Sequence, residues 1–152
     1  MATAEQSVDV NVPISTAYNQ WTQFEEFPQF MSDVESVRQL DDRRLHWVVK
    51  IGGVEREFDA EITEQSPEER VAWRSISGVD QAGVVTFHKL DDTTTRVMLQ
   101  LEMDPEGLAE TVGAKTGVVS RAAERDMKNF KKFIESRGAE TGAWRGQVPR
   151  EG

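Results

Sequence analysis

The chain has 152 residues, of which 38% are apolar and 30% are charged, and this fits one globular domain with its own core. It contains no cysteine, which excludes a disulfide scaffold and any zinc site built on thiolates. Its net charge of −9 repels phosphate backbones, so we expect no nucleic-acid partner.

The N-terminal part of the chain predicts one strand followed by two short helices. Residues 5–12 alternate valines with polar neighbours, which is typical of a strand with one buried face. Pro13 ends this strand, and Ser15 is a suitable N-cap for the helix that follows. The aromatic run at residues 24–31 surrounds a proline and predicts a second short helix or turn.

Residues 33–103 predict a run of strands, because their apolar positions recur with a period of two. Six strands separated by tight turns are expected to form an antiparallel meander. In residues 54–63, four acidic side chains alternate with an apolar set that includes Phe58. Four unpaired acids cannot be buried together, so the acids face water and Phe58 points inward. We expect Asp59 to pair with Arg74 across this outer face.

A long helix is predicted over about residues 107–137, with an apolar stripe at helical spacing. The stripe consists of Val112, Val119, Ala123, Met127, Phe130 and Ile134. No periodicity continues beyond it, so residues 1–138 are predicted to form a single domain and residues 139–152 a disordered tail. A sheet with one buried face needs a cover, and this helix is the only predicted element large enough.

This order of elements, and the residues within it, resemble the START-like superfamily and, within it, the polyketide cyclase/dehydrase and coenzyme Q-binding family. The stretches that carry the resemblance are residues 12–37 (VPISTAYNQWTQFEEFPQFMSDVESV), 52–78 and 83–103. The resemblance implies an α+β helix-grip fold: a curved antiparallel seven-stranded sheet around a long C-terminal helix, with two short helices after the first strand. It also implies a cavity between sheet and helix, with the aromatic run at residues 24–31 at its mouth.

The inward-facing residues predict where a ligand would lie in such a fold. The predicted binding residues are Trp47, Arg56, Phe58, Trp73, Ser75, Phe87, Leu99 and Met127, with Phe30 from the aromatic run. Most of them are apolar, as in typical ligand pockets, while Arg56 and Ser75 can form hydrogen bonds to a ligand. We place Arg56 at the rim of the cavity. The same set also fits a closed core whose aromatic residues contact no ligand.

Groups able to transfer protons or attack a substrate are few, with one tyrosine, two histidines and no cysteine. Both His46 and His88 fall on outward faces of their predicted strands, and neither has a neighbour at metal-ligand spacing. We therefore predict no catalytic residue, no metal site and no cofactor, and we favour a binding protein over an enzyme.

Three functions stay open at this point. The first is a carrier or sequestering module for a hydrophobic small molecule, such as a lipid, an isoprenoid quinone or a polyketide. The second is a polyketide cyclase, aromatase or dehydratase, in which Arg56, Ser75 or Tyr18 assists dehydration. The third is a module with a protein partner, like the ribosome-association toxins of the resembling family.

The location of the protein is predicted to be cytoplasmic. The N-terminus has neither the basic region nor the apolar run of a signal peptide, and no segment approaches the roughly 20 apolar residues of a membrane span. The basic cluster at residues 121–137 is interrupted by acidic residues, so we interpret it as a solvated helix face.

Overall fold

The computed structural model describes residues 2–31, 34–51, 54–78, 81–103 and 118–137. Its elements are β1 (Ala2–Val10), α1 (Ile14–Trp21), a 3₁₀ helix (Phe24–Gln29), β2 (Val34–Gln39), β3 (Arg44–Ile51), β4 (Val54–Ser66), β5 (Arg70–Gly78), β6 (Gln81–Asp91), β7 (Thr94–Met103) and α2 (Val118–Arg137). The first part of the predicted long helix, at residues 107–117, and the predicted tail at residues 139–152 lie outside the described residues.

The seven strands form one antiparallel sheet in the order β1-β7-β6-β5-β4-β3-β2, which confirms the predicted sheet and its meander. The first strand returns to pair with the last, from Ala2 opposite Met103 to Val10 opposite Thr95. In β4 the register shifts between Asp59 and Ala60 and again between Ile62 and Glu64. Such bulges bend a strand and increase its twist, so they favour a curved sheet.

The last helix, α2, packs on this sheet along β1 and β7. Its buried stripe contains Ala123, Met127, Phe130 and Ile134, as the helical spacing predicts. The ammonium group of Lys131 donates to the carbonyl oxygen of Asp9 at 2.7 Å, which ties the helix to the end of β1. In the described ranges, no helix is both long enough and apolar enough to cross a membrane.

The two short helices follow β1, but the first begins one residue earlier than its predicted cap. The prediction that Ser15 is the N-cap is wrong, because Pro13 occupies that position and its carbonyl oxygen accepts the Ala17 N–H at 3.1 Å. The proline ring fixes φ of Pro13 at −60°, and with ψ at 154° the residue has the extended conformation of an N-cap, so helical geometry starts at Ile14.

The large apolar side chains of the aromatic run that follows α1 are all buried. Phe24 and Phe27 lie on the inner side of the 3₁₀ helix, and Phe30 and Met31 follow directly after it. The 3₁₀ helix packs on β2, which is one edge of the sheet. These rings therefore extend the hydrophobic core beyond the sheet.

Candidate functional site

Three of the predicted binding residues meet in one group of rings on the inner face of the sheet, which we call the Trp47 stack. Trp47 lies directly opposite Phe58, with ring centroids 5.6 Å apart and planes only 11° apart. Trp73 stacks against the same indole at 6.3 Å and 21°. Near-parallel rings at this spacing match the offset stacking that aromatic pairs prefer. All three residues are buried, so the sequence prediction that they converge is confirmed.

The orientation of Trp73 depends on two residues of β6 that the sequence analysis did not select. Gln81 accepts a hydrogen bond from Trp73 Nε1 through its side-chain oxygen at 3.3 Å. Gly83 lies directly opposite Trp73, and a Cβ added there would be 2.5 Å from the indole Cζ2. The indole thus occupies the space that any larger residue would need. β5 and β6 form a hairpin, and pairing its two strands outward from the turn would have placed Gly83 opposite Trp73.

The predicted polar residues of the site, Arg56 and Ser75, are half-buried. The Ser75 hydroxyl accepts the backbone N–H of Gln81 at 2.9 Å, so the same glutamine holds both Trp73 and Ser75. Arg56 lies beyond the Phe58–Gly78 pair, where the pairing between β4 and β5 ends. Its guanidinium donates to the carbonyl oxygen of Glu55 at 3.2 Å. Partial exposure of Arg56 at the end of this pairing is consistent with its predicted place at a rim.

A buried polar pair lies between α1 and the end of β4. Gln65 donates to the hydroxyl oxygen of Tyr18 at 3.2 Å, and both residues are almost fully buried. Phe87, another predicted binding residue, packs edge-to-face on Tyr18 with centroids 5.4 Å apart. Simple alternation along β4 puts Gln65 on the wet face with the acids. The bulge after Ile62 reverses that alternation, which is why sequence reasoning missed this residue.

The remaining predicted residues belong to the same core but make different contacts. Leu99 of β7 and Met127 of α2 are buried within it. Phe30 contacts Trp21 and Phe130, with centroid distances of 5.9 and 5.2 Å. Phe27 connects the two groups of rings, because it lies 5.5 Å from Phe30 and 5.6 Å from Trp47. Phe27 is therefore the residue of the 24–31 run that contacts the Trp47 stack, although Phe30 was the one predicted.

The outer face of the sheet carries a charged cluster around His46. Its Nδ1 lies 2.6 Å from a carboxylate oxygen of Asp59, and its Nε2 lies 3.0 Å from one of Glu57. Two hydrogen bonds raise the pKa of His46 above its usual 6.5, the one to Asp59 having the larger effect and the one to Glu57 the smaller. The predicted Asp59–Arg74 pair is wrong, because the register places His46 opposite Asp59 and Arg74 opposite Glu61.

The outward positions predicted for both histidines are confirmed, since His46 lies among these carboxylates and His88 is exposed. Within the parts of the chain that the structure describes, no three histidine, aspartate or glutamate side chains are grouped so as to hold a metal ion. Aromatic rings are thus grouped on the inner face, whereas the charged cluster around His46 lies on the outer face.

Comparison with known proteins agrees with this architecture. Residues 10–132 match the family described as polyketide cyclase/dehydrase and lipid transport. A 17.2 kDa protein of Streptomyces lincolnensis, from the melC2–rnhH intergenic region and described as uncharacterized, is 58% identical over 149 residues, which are 97% of this chain and 99% of that protein.

Two solved structures show the same fold at low sequence identity. Zhui aromatase/cyclase from Streptomyces sp. R1128 has a TM-score of 0.75 and 16% identity, covering 93% of this chain and 98% of that one. A START superfamily protein from Mycobacterium smegmatis has a TM-score of 0.69 and 16% identity, covering 90% and 97%. At such identities the two structures establish the helix-grip fold alone. The family match spans most of the sequence, and the chain therefore belongs to the polyketide cyclase/dehydrase and lipid transport family.

Proposed function

We propose that the protein binds a hydrophobic small molecule between the sheet and α2, as a carrier or a sequestering module. The observation that carries the proposal is the Trp47 stack, a buried aromatic surface continued by the half-buried polar residues Arg56 and Ser75. Ligand pockets combine a mostly apolar lining with a few polar groups in this way. The family description names polyketide cyclase/dehydrase and lipid transport, which supports a lipid or a polyketide-like ligand. An isoprenoid quinone belongs to the same proposal because it is also mostly apolar.

Apolar burial can supply the affinity for such a ligand, and the positions of the polar groups favour binding over catalysis. Each roughly 100 Å² of apolar ligand surface removed from water contributes about 2.5 kcal/mol before the costs of association. The Tyr18 hydroxyl is held by Gln65, and His46 and His88 lie on the outer face of the sheet. A proton-transfer site needs such groups within hydrogen-bond reach of the substrate. A cytoplasmic carrier that leaves its ligand chemically unchanged is consistent with this arrangement.

Native mass spectrometry of the purified protein, with organic extraction of any co-purifying molecule, tests the proposal. The expected result is an added mass that an organic solvent removes and that Trp73→Ala loses. Ile76→Ala is the matched control, because Ile76 is on the same strand and 48% exposed. Equal ligand content in all three proteins would remove Trp73 from the site.

Trp73→Ala also opens a cavity, which for a buried tryptophan costs about 3–5 kcal/mol of stability. Circular dichroism of each variant therefore accompanies the mass measurement. Trp73→Phe keeps an aromatic ring at the position and is expected to retain part of the bound ligand. An apo mass for the wild-type protein, both as purified and after incubation with lipid, quinone and polyketide extracts, would refute the proposal.

Placement of Arg56 and Ser75 beside the aromatic stack favours one alternative, a polyketide cyclase, aromatase or dehydratase. In that case Arg56 orients a substrate carbonyl through its guanidinium, and Ser75 or Tyr18 assists dehydration. The fold likeness to Zhui aromatase/cyclase is compatible with this alternative. Incubation with a linear poly-β-ketone thioester, followed by mass spectrometry, is the test. A cyclised, dehydrated product that Arg56→Gln abolishes would establish catalysis, and an unchanged thioester would exclude it.

A further inference from the structure

We propose that Trp47 also recognises the ligand through its indole N–H, which donates a hydrogen bond to a neutral carbonyl oxygen on an otherwise apolar molecule. This inference rests on the proposed function, because it names the chemical class that the binding site takes. A ketone or quinone belongs to that class, whereas a hydrocarbon or an ionised fatty acid does not.

The observation behind the inference is an unpaired donor inside the Trp47 stack. Trp47 is 4% exposed, and its Nε1 is buried without a hydrogen-bond partner among the described residues. The great majority of buried polar side-chain atoms have a partner, because burying an unsatisfied donor is costly. The neighbouring indole of Trp73 follows that rule, since its Nε1 donates to Gln81. The two indoles of one stack therefore differ in the state of their N–H groups.

Ring faces are poor acceptors for this N–H. An indole N–H lies in the ring plane, and the planes of Phe58 and Trp73 are within 11° and 21° of that plane, so the N–H runs alongside their faces. Trp21 is another buried indole whose Nε1 has no hydrogen-bond partner in the described part of the chain, but it differs from Trp47 because it meets Phe130 at 78° with centroids 4.9 Å apart. Edge-to-face contact allows a weak N–H···π interaction there. Trp47 has a tilted contact with Phe27, but its angle of 56° is farther from edge-to-face than the 78° between Trp21 and Phe130.

The chemistry of the surroundings selects a carbonyl among possible acceptors. A carbonyl oxygen accepts without donating, so it satisfies Trp47 and brings no new donor into a buried place. A hydroxyl would bring an O–H that needs a second partner, and a carboxylate would bring a charge that is costly to bury. Phe27, Phe58 and Trp73 surround the indole with apolar surface, which suits the hydrocarbon part of the same molecule.

The test compares two probes that share one flat tricyclic frame, 9-fluorenone with a carbonyl and fluorene without it. Affinities are measured by equilibrium dialysis for the wild-type protein, Trp47→Phe and Trp73→Phe. We expect the wild type to prefer fluorenone by about 3- to 10-fold, the gain of one neutral hydrogen bond. Apolar burial alone predicts the opposite order, because water solvates the carbonyl of fluorenone.

Trp73→Phe is the matched control, because it removes an indole N–H that Gln81 already accepts. The preference for fluorenone is expected to persist in Trp73→Phe and to disappear in Trp47→Phe. A preference that persists in Trp47→Phe, or a wild type that binds fluorene more tightly, overturns the inference and leaves the proposed function standing. If neither probe binds, the inference is overturned, and native mass spectrometry decides the proposed function separately.

A direct readout does not depend on the variant keeping its stability. The chain has four tryptophans, so a ¹H–¹⁵N spectrum contains four indole signals. The signal missing from Trp47→Phe assigns Trp47, or selective labelling does so if that variant is unfolded. Fluorenone is expected to move this proton signal downfield and fluorene is not. Equal shifts with both probes would overturn the inference.

Discussion

Gly83→Ala is expected to destabilise the protein through a single side chain, the indole of Trp73. A Cβ at residue 83 would lie 2.5 Å from Cζ2 of that indole and 2.9 Å from two further ring atoms. Normal carbon–carbon contacts are about 3.5–4.0 Å, so the overlap is at least about 1 Å. The ring cannot move aside freely, because it is 6% exposed and stacked on Trp47.

The magnitude follows from the contacts that such a displacement breaks. Overpacking a buried site costs about 1–3 kcal/mol, and losing the Trp73–Gln81 hydrogen bond adds about 1 kcal/mol. These two costs amount to roughly 2–4 kcal/mol, and the preference of a strand for alanine over glycine offsets about 0.5–1 kcal/mol of them, so the expected net loss of unfolding free energy is about 1–3.5 kcal/mol. Without the clash, alanine would instead stabilise a strand by about 0.5–1 kcal/mol relative to glycine. The backbone at Gly83 has no left-handed φ, so alanine meets no conformational penalty there.

Urea unfolding of Gly83→Ala, Trp73→Val and the double variant measures this effect as a double-mutant cycle. With valine at residue 73 the clash is gone, so Gly83→Ala should then be neutral or slightly stabilising. A coupling free energy of at least about 1.5 kcal/mol between the two positions is expected. If Gly83→Ala is neutral or stabilising in the wild-type protein, the clash with Trp73 does not explain the glycine at residue 83.

Three further predictions concern the core and the outer face. Tyr18→Phe leaves the Gln65 side-chain N–H without its acceptor and should lower the free energy of unfolding in urea by about 1–2 kcal/mol. Adding Gln65→Leu should recover most of this loss, and additive losses in the double variant would contradict the prediction. Phe130→Ala should lower the free energy of unfolding by about 3–5 kcal/mol, because it removes a fully buried ring that contacts Trp21. Lys128→Ala, at an exposed position of the same helix, should change thermal stability little. Comparable losses in the two variants would argue against the packing of α2. The pKa of His46 is raised in the folded protein, so its carboxylate contacts stabilise the fold fully below about pH 6.5, and this stabilisation is lost as pH rises through the folded pKa. The stability difference between wild type and His46→Gln should thus be larger at pH 5.5 than at pH 9, by less than about 1 kcal/mol for this partly exposed group, and an opposite trend would contradict the assignment.

The strands, the buried face of each and the stripe of α2 could be predicted from the sequence. Alternation along residues 54–63 is enough to place Phe58 inside, because four acids on the other face must reach water. The same alternation places Trp47 and Trp73 on inner faces, and both are buried. Patterns of this kind depend only on neighbours along the chain, so they need no knowledge of the fold.

Residues that depend on register could not be predicted in this way. Asp59 was paired with the wrong partner, because which side chains are opposite depends on how two strands align. Gln65 was overlooked, because a bulge turns it inward against its expected alternation. The predicted N-cap of the first helix is Ser15, whereas the structure has Pro13 there, because several residues near a helix start suit the role and local packing selects one.

The sequence by itself determined the α+β class, the order of the elements and the apolar face that most strands and α2 bury. Hydrophobic periodicity alone reports those properties, since each residue's side of a helix or strand follows from its spacing. Only the tertiary structure decided that Trp47 stacks with aromatic residues of two other strands, that its N–H has no partner among the described residues, and that Gln81 and Gly83 fix the position of Trp73. Such contacts depend on which side chains the strand register places opposite each other, and their distances depend on the curvature of the whole sheet.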